Sequence, residues 1–275
     1  MNFYWGVLVV AATAGLGIAA MLLVRRIAPD GSFFQDGDRA SGVFGVLATG
    51  FAILAGFVVF LAFESYDTSR SGAETEARTV AQQFETAQLM PVDVRHALSG
   101  ELVCYARDAV YHEWPAMQSG SLGDVLNPWG VATFQTLQRT VPRSASEQAA
   151  YSKWLDQNSD RENARADRVH GAEGVIPSPL WVVLFLSAGV IFVFMLFFAD
   201  PTEAWYVQAT MIGGVAIIVS AMLLLLVFLD NPYQKGPGGL RPVAMERTLT
   251  LLDQGSQVVG GIGRLPCDAT GAPRG

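Results

Sequence analysis

The sequence predicts an all-α membrane protein with four transmembrane helices and a helical, water-facing segment of about a hundred residues between the second and third. Three observations carry this. Only 16% of the 275 residues are charged while 51% are hydrophobic, and mean hydropathy is +0.32, whereas soluble domains run about 25% charged. Residues 4–24, 42–63, 178–199 and 206–229 contain no Asp, Glu, Lys, Arg or His. Each run is 21 to 24 residues long, and a helix rising about 1.5 Å per residue needs roughly 20 to cross the hydrocarbon. A buried core helix accounts for one such run but poorly for four.

The chain divides into spans one and two (1–63), a helical segment (64–176), spans three and four (177–233), and a short amphipathic helix with a tail (234–275). Span one reads as a retained helix: its apolar run exceeds the about 7–15 residues of a signal-peptide core, and Arg25 and Arg26 follow it as a stop. Span two meets no breaker at Phe63, so one helix is expected to leave the membrane and continue to about Gln88. Pro91 opens the next helix at a permitted first-turn position. Its apolar residues Val94, Leu98, Leu102, Ala106, Ala109, Val110 and Trp114 keep three- and four-residue spacing. Trp114-Pro115 is expected to end it.

A turn-rich loop follows (Gly120, Gly123, Asn127-Pro128, Gly130), then helices at about 131–141 and 144–170 on either side of Pro142. Pro177 and Pro179 mark entry to span three, and the short Asp200–Trp205 connection implies a tight hairpin with span four. Trp205 and Tyr206 stand where an interfacial belt puts aromatic residues. Beyond Leu229, Met245, Leu249 and Leu252 define a short amphipathic helix, and the Gly/Pro-rich tail from Gly255 is expected to be disordered.

Four spans put both termini and the central segment on one side. That side carries Arg70, Arg78, Arg161, Arg165, Arg168, Lys235, Arg241 and Arg247, against Arg25, Arg26 and Arg39 opposite. The positive-inside rule then places central segment and termini in the cytoplasm of a multi-pass cell-membrane protein, although charges count for less in a loop this long. Cys104 and Cys267 are too few for a disulfide framework and lack metal spacing, so they read as free thiols.

Several function classes fall away. A net charge of −7 argues against nucleic acid, whose phosphates demand basic clusters. No phosphate loop, HExxH or CxxC occurs, and Gly260-Gly-Ile-Gly263 sits in the tail rather than after a strand. His96, His112 and His170 stand far apart and no carboxylates pair at catalytic spacing; His112, beside Glu113, reads as a hydrogen-bonded side chain. No enzyme activity, cofactor or metal is expected. The spans carry no ionisable residue and no internal proline break, which disfavours coupled transport. Gly213-Gly214 in span four suits a close helix crossing.

Span two carries two stripes. Ala48, Ala52 and Gly56 recur every four residues, the spacing that lets membrane helices approach closely. Beside them run Thr49, Ile53, Phe57, Phe60 and Glu64. Bundle packing within one chain accounts for both stripes. In a ring of subunits the second would line a narrow pore, with a hydrophobic constriction and a carboxylate ring at its mouth.

The layout of two helices, a large helical cytoplasmic segment, two helices and a short tail resembles the bestrophins. Leu54-Ala-Gly-Phe-Val-Val-Phe-Leu-Ala-Phe-Glu-Ser-Tyr-Asp67 is similar to that family's neck helix and membrane exit, and Leu229-Asp230-Asn231-Pro232-Tyr233, ahead of Gly236, to its Asn-Pro-Phe-Gly element. Glu76-Ala77 and Glu113-Trp114-Pro115 resemble motifs of the bacterial bestrophin-like family. The resemblance implies a homo-oligomer, a pentamer, in a bacterial inner membrane, conducting an anion such as chloride through a span-two neck. Two departures stand out: Glu64-Ser-Tyr-Asp67 replaces the bestrophin Arg-Trp-Trp, and the acidic calcium-clasping run after the last span is absent, so calcium gating is not carried over. Residues 64–176 hold 16 carboxylates against 10 basic groups, a balance that favours cations. A cation-selective channel and a non-conducting membrane-anchored scaffold remain the alternatives.

Overall fold

The computed structural model describes residues 3–120, 127–258 and 263–274. The middle of the turn-rich loop and part of Gly260-Gly-Ile-Gly263 lie outside them. Among the described residues there is no strand, only an isolated bridge between Cys267 and Pro273. The helices are α1 (Phe3–Arg25), α2 (Gly37–Ala87), α3 (Val92–Asp108), α4 (Trp114–Gln118), α5 (Pro128–Gln138), α6 (Ala145–His170), α7 (Ser178–Leu196), α8 (Trp205–Leu229) and α9 (Val243–Val258). Four of them, α1, α2, α7 and α8, are long and apolar enough to cross a membrane. The chain forms two units: Met1–Glu64 with Val175–Asp230 and Lys235–Gly238, and Ser65–Gly174 with Asn231–Gln234 and Gly239–Gly275.

In the first unit α1 crosses α8 closely at small residues. A Cβ added to Gly213 would lie 3.3 Å from the Ile18 side chain of α1, and on the α7 side one added to Gly17 would meet the Phe192 ring at 2.5 Å. A bulkier residue at either place would push the helices apart, the usual reason for glycine at membrane crossings. Helix α2 starts earlier than its apolar run, because Asp36 Oδ1 accepts the Arg39 N–H at 3.0 Å and so caps it. Phe44 then stacks on Phe194 of α7, with ring centroids 5.9 Å apart. Arg25 does more than stop span one: its guanidinium donates to Pro201 O at 2.9 Å and to Gln208 at 3.3 Å, tying α1 to α8 and to the turn before it.

The second unit is a helical domain around α3, whose Leu98, Leu102, Val103, Cys104, Tyr105 and Ala106 are all inaccessible to solvent. Phe84 of α2, Trp129 of α5, Trp154 of α6 and Met245 and Leu252 of α9 join the same core. Asn127 and Ser144 cap α5 and α6, accepting the N–H groups of Trp129 at 3.0 Å and Glu147 at 3.2 Å.

Three expectations are corrected here. The helix from Pro91 does not end at Trp114-Pro115. A π turn over Ala109–Glu113 lets the Trp114 N–H reach back five residues to Ala109 O, and the chain continues helically to Gln118. Pro115 has no N–H and would crowd the carbonyl four residues back in a regular helix; the wide turn relieves both. The tail is not disordered where it is described. α9 runs to Val258, and residues 263–274 fold back on α3, with Arg107 donating to Asp268 O at 3.0 Å and Trp129 Nε1 to Gly271 O at 2.7 Å. Finally, Cys104 and Cys267 are not free thiols but a disulfide across 163 residues of sequence. Spacing along the chain gave no hint of it, because only the folded tail brings the two together.

Candidate functional site

The membrane-spanning part of α2 buries one face within its own unit. Phe51, Ala55, Val58 and Ala62 are at most 7% exposed, and their four-three-four spacing puts them on one line of the helix. On the opposite line Ile53, Phe57 and Phe60 are 69%, 61% and 62% exposed, flanked by exposed Thr49 and Glu64. The small residues lie between these faces: Ala48 is half-buried and Ala52 and Gly56 are exposed. A Cβ added to Gly56 meets nothing within 4 Å. The packing of this chain therefore does not use Gly56 for a close crossing, and it leaves the Ile53–Phe57–Phe60 line open.

Beyond Phe63 the same helix keeps an exposed three-four repeat but changes its chemistry: Glu64, Asp67, Ser71, Glu74 and Arg78. Exposed Arg70 pairs with Glu74 at 3.2 Å, a solvent-facing pair of little energetic weight.

The motif residues after span four serve the backbone. Asp230 Oδ1 accepts the N–H groups of Val175 and Ile176 at 2.7 and 2.8 Å, fastening the entry to α7. Pro232 O accepts the Leu240 N–H at 2.8 Å. Tyr233 is buried, donates its hydroxyl to Arg168 O, and meets the Trp114 ring edge-on at 5.4 Å. Burial pushes the Tyr233 phenol well above its usual range, so it stays a donor. Asn231 completes the quartet as the second residue after α8.

The second unit also contains a buried ion network that sequence reasoning missed. Arg168 of α6, 1% exposed, is held bidentately by Glu76, with one contact at 3.0 Å, and also donates to Glu113. Arg165 adds two bonds to Glu113 Oε1, at 2.9 and 3.1 Å, and Tyr105 donates to Glu76 Oε1 at 2.6 Å. Burial alone would raise the Glu113 carboxyl, but Arg168 and Arg165 outweigh it and hold the group below the usual range. Burial would likewise lower Arg168, yet Glu76 and Glu113 lift it well above normal. The two motifs Glu76-Ala77 and Glu113-Trp114-Pro115 thus meet in one place, with Arg168 lying 5.7 Å from the Trp114 ring centroid. Arg161, Arg165 and Arg168 read in sequence as juxtamembrane cations; they are internal or partly internal to this unit. His112 is hydrogen-bonded, its Nδ1 2.9 Å from Asp108 Oδ1. Among the described residues no His/Cys/Asp/Glu group is arranged to hold a metal ion.

The Bestrophin-like domain matches residues 11–238. The chain belongs to the bestrophin-like family. Solved structures share its fold at low identity. A bacterial bestrophin homologue from Klebsiella pneumoniae, carrying a leucine-to-threonine substitution, superposes with a TM-score of 0.66 at 12% identity, covering 89% of this chain and 98% of that one. An isoleucine-to-threonine variant from the same organism gives 0.67 at 13%, covering 89% and 99%. A membrane protein with a glycine-to-alanine substitution gives 0.67 at 12%, covering 92% and 99%. No curated protein matches the sequence. At these identities the bestrophin likeness establishes the fold, and the motifs of this chain must carry the rest.

Proposed function

We propose that this bestrophin-like protein is an ion channel of the cell membrane, in which several copies, five by family resemblance, surround an axis lined by α2. The observation that carries the reading is the open Ile53–Phe57–Phe60 line, set opposite the buried Phe51–Ala55–Val58–Ala62 face. An exposed apolar line would also suit lipid. Two features favour a pore instead. The line leads along the helix into exposed Glu64, Asp67, Ser71 and Glu74, a polar ridge that would line a vestibule. Its flank is small, with open space at Gly56, so a neighbouring α2 can approach closely. In such a ring Ile53 and Phe57 form the narrow apolar neck, which gates by wetting and drying.

Anion conduction is what the family implies. A specific observation favours the opposite sign: Glu64 and Asp67 would form two carboxylate rings just beyond the neck, in a segment of net charge −6. Bilayer recording of the purified protein under anion and then cation substitution decides. A reversal potential that follows the anion supports the family reading, and one that follows the cation supports the acidic vestibule. An oligomer that passes no current identifies a membrane-anchored scaffold.

A further inference from the structure

The covalent link between Cys104 and Cys267 bears on which side of the membrane the second unit occupies. Both sulfurs are inaccessible to solvent, and the bond is set into a fitted seat rather than lying on the surface. The tail turns back through Gly271, whose φ of +96° and approach to the Asp108 backbone exclude a side chain: an added Cβ would lie 2.4 Å from Asp108 N. Asp268 shapes that turn, its Oδ1 accepting the N–H groups of Thr270 at 2.8 Å and Ala272 at 3.1 Å. The Asp268 N–H donates to Ala272 O at 2.9 Å. Stable disulfides of this structural kind belong to oxidising compartments, whereas cytosolic thiols are kept reduced.

The charge pattern does not oppose this. The positive-inside rule acts on short loops and on residues near span ends, and long segments cross largely regardless of charge. Within the long segment Arg70, Arg78, Arg161, Arg165 and Arg168 carry reduced weight, and Arg161 and Arg168 are buried in its interior. What remains is Lys235, Arg241 and Arg247 on one side against Arg25, Arg26 and Arg39 on the other, three against three. Lysine and arginine placement outside the long segment is therefore balanced, and the cystine decides.

We propose that the second unit, with its docked tail, lies on the oxidising, non-cytosolic side of the membrane, and that the short loop between α1 and α2 faces the cytosol. The placement reverses the cytoplasmic one that the full arginine count favours and that the bestrophin layout implies. Formation of the bond balances simply. The two thiols lose two protons and two electrons to a disulfide-carrying exchange protein of that compartment, which departs as a dithiol.

Two readouts test it. The unaltered protein is denatured from its membranes with a mass-adding thiol reagent, before and after reduction. No tag before reduction and two tags after is expected; two tags without reduction would overturn the proposal. For sidedness, Ser152→Cys and Asp30→Cys are placed one at a time in full-length Cys104→Ser/Cys267→Ser protein, in cells stripped of any outer envelope, and treated with an impermeant maleimide. Position 152 should label at once and position 30 only after permeabilisation. The reverse pattern would overturn the proposal. If the doubly substituted protein fails to accumulate, the same reporters on the native background, whose own cysteines are tied up, give the same reading. Labelling is independent of current, so its outcome leaves the channel reading untouched.

Discussion

Arg168 on α6 and Glu76 on α2 stand 92 residues apart in sequence and form a bidentate pair that solvent does not reach. Removing one partner of such a pair strands the other charge in a dry interior. Arg168→Ala is expected to destabilise the protein by about 3–5 kcal/mol, read as a fall in the thermal unfolding midpoint in detergent. Arg168→Lys should recover only part of the loss, because an ammonium cannot reproduce the two-pronged contact. Unfolding unchanged by either substitution would remove the network from the account of stability.

The same network predicts an acid limit. Glu113 is held below its unfolded value by Arg168 and Arg165, so the unfolded state binds its proton first as pH falls. Its stabilisation is fully present above the ordinary glutamate range and is lost as pH drops through the depressed folded value. Melting temperature followed downward from pH 6 should decline below about pH 4.5, near the unfolded glutamate value, and Glu113→Gln should flatten that decline while lowering the plateau. A plateau unaffected by the substitution would show that Glu113 is not the group responsible.

Gly271 offers a test of the docked tail. Gly271→Ala adds a methyl where the Asp108 backbone already sits and where φ is positive, a conformation that L side chains rarely adopt. The expected result is earlier proteolytic clipping within the last dozen residues, with the helical signal unchanged. Equal protection of both proteins would contradict the seat described for the tail.

Much of this fold is legible in the sequence because lipid imposes a length rule on uncharged runs, and four runs obeyed it. The long reach of α2 is legible for a similar reason: nothing between Phe63 and Ala87 breaks a helix. The remainder depends on contacts that periodicity does not encode. Pro115 looks like a terminator, yet a single wide turn absorbs it. Arg165 and Arg168 look like surface cations, because their partners Glu76 and Glu113 come from other helices. Cys267 sits in a Gly/Pro-rich tail that resembles disorder, and only Gly271, Asp268 and Trp129 in their folded positions give it a seat. Of the candidate site, the three- and four-residue spacing of the α2 line was readable, and its openness was not, since only the folded unit shows which face of α2 the chain itself covers.

The proposed subunit assembly is tested at the open flank of α2. Gly56→Leu places a large side chain where the chain itself leaves empty space, so the monomer should fold normally. Neighbouring α2 helices would be forced apart, and native mass measurement should show loss of the oligomer. Unchanged native mass would mean that Ala48, Ala52 and Gly56 are not the subunit contact.

The central claim is that Ile53 and Phe57 form the neck of a pore, and recording from Ile53→Ala/Phe57→Ala in a planar bilayer tests it most directly. Apolar rings block by drying, so the smaller side chains should wet the neck. Raised conductance or open probability is expected from a protein whose melting temperature changes little, since both residues are more than half exposed in the chain. If they are bundle core instead, each truncation should cost about 2–5 kcal/mol. A destabilised protein with unaltered current would contradict the account.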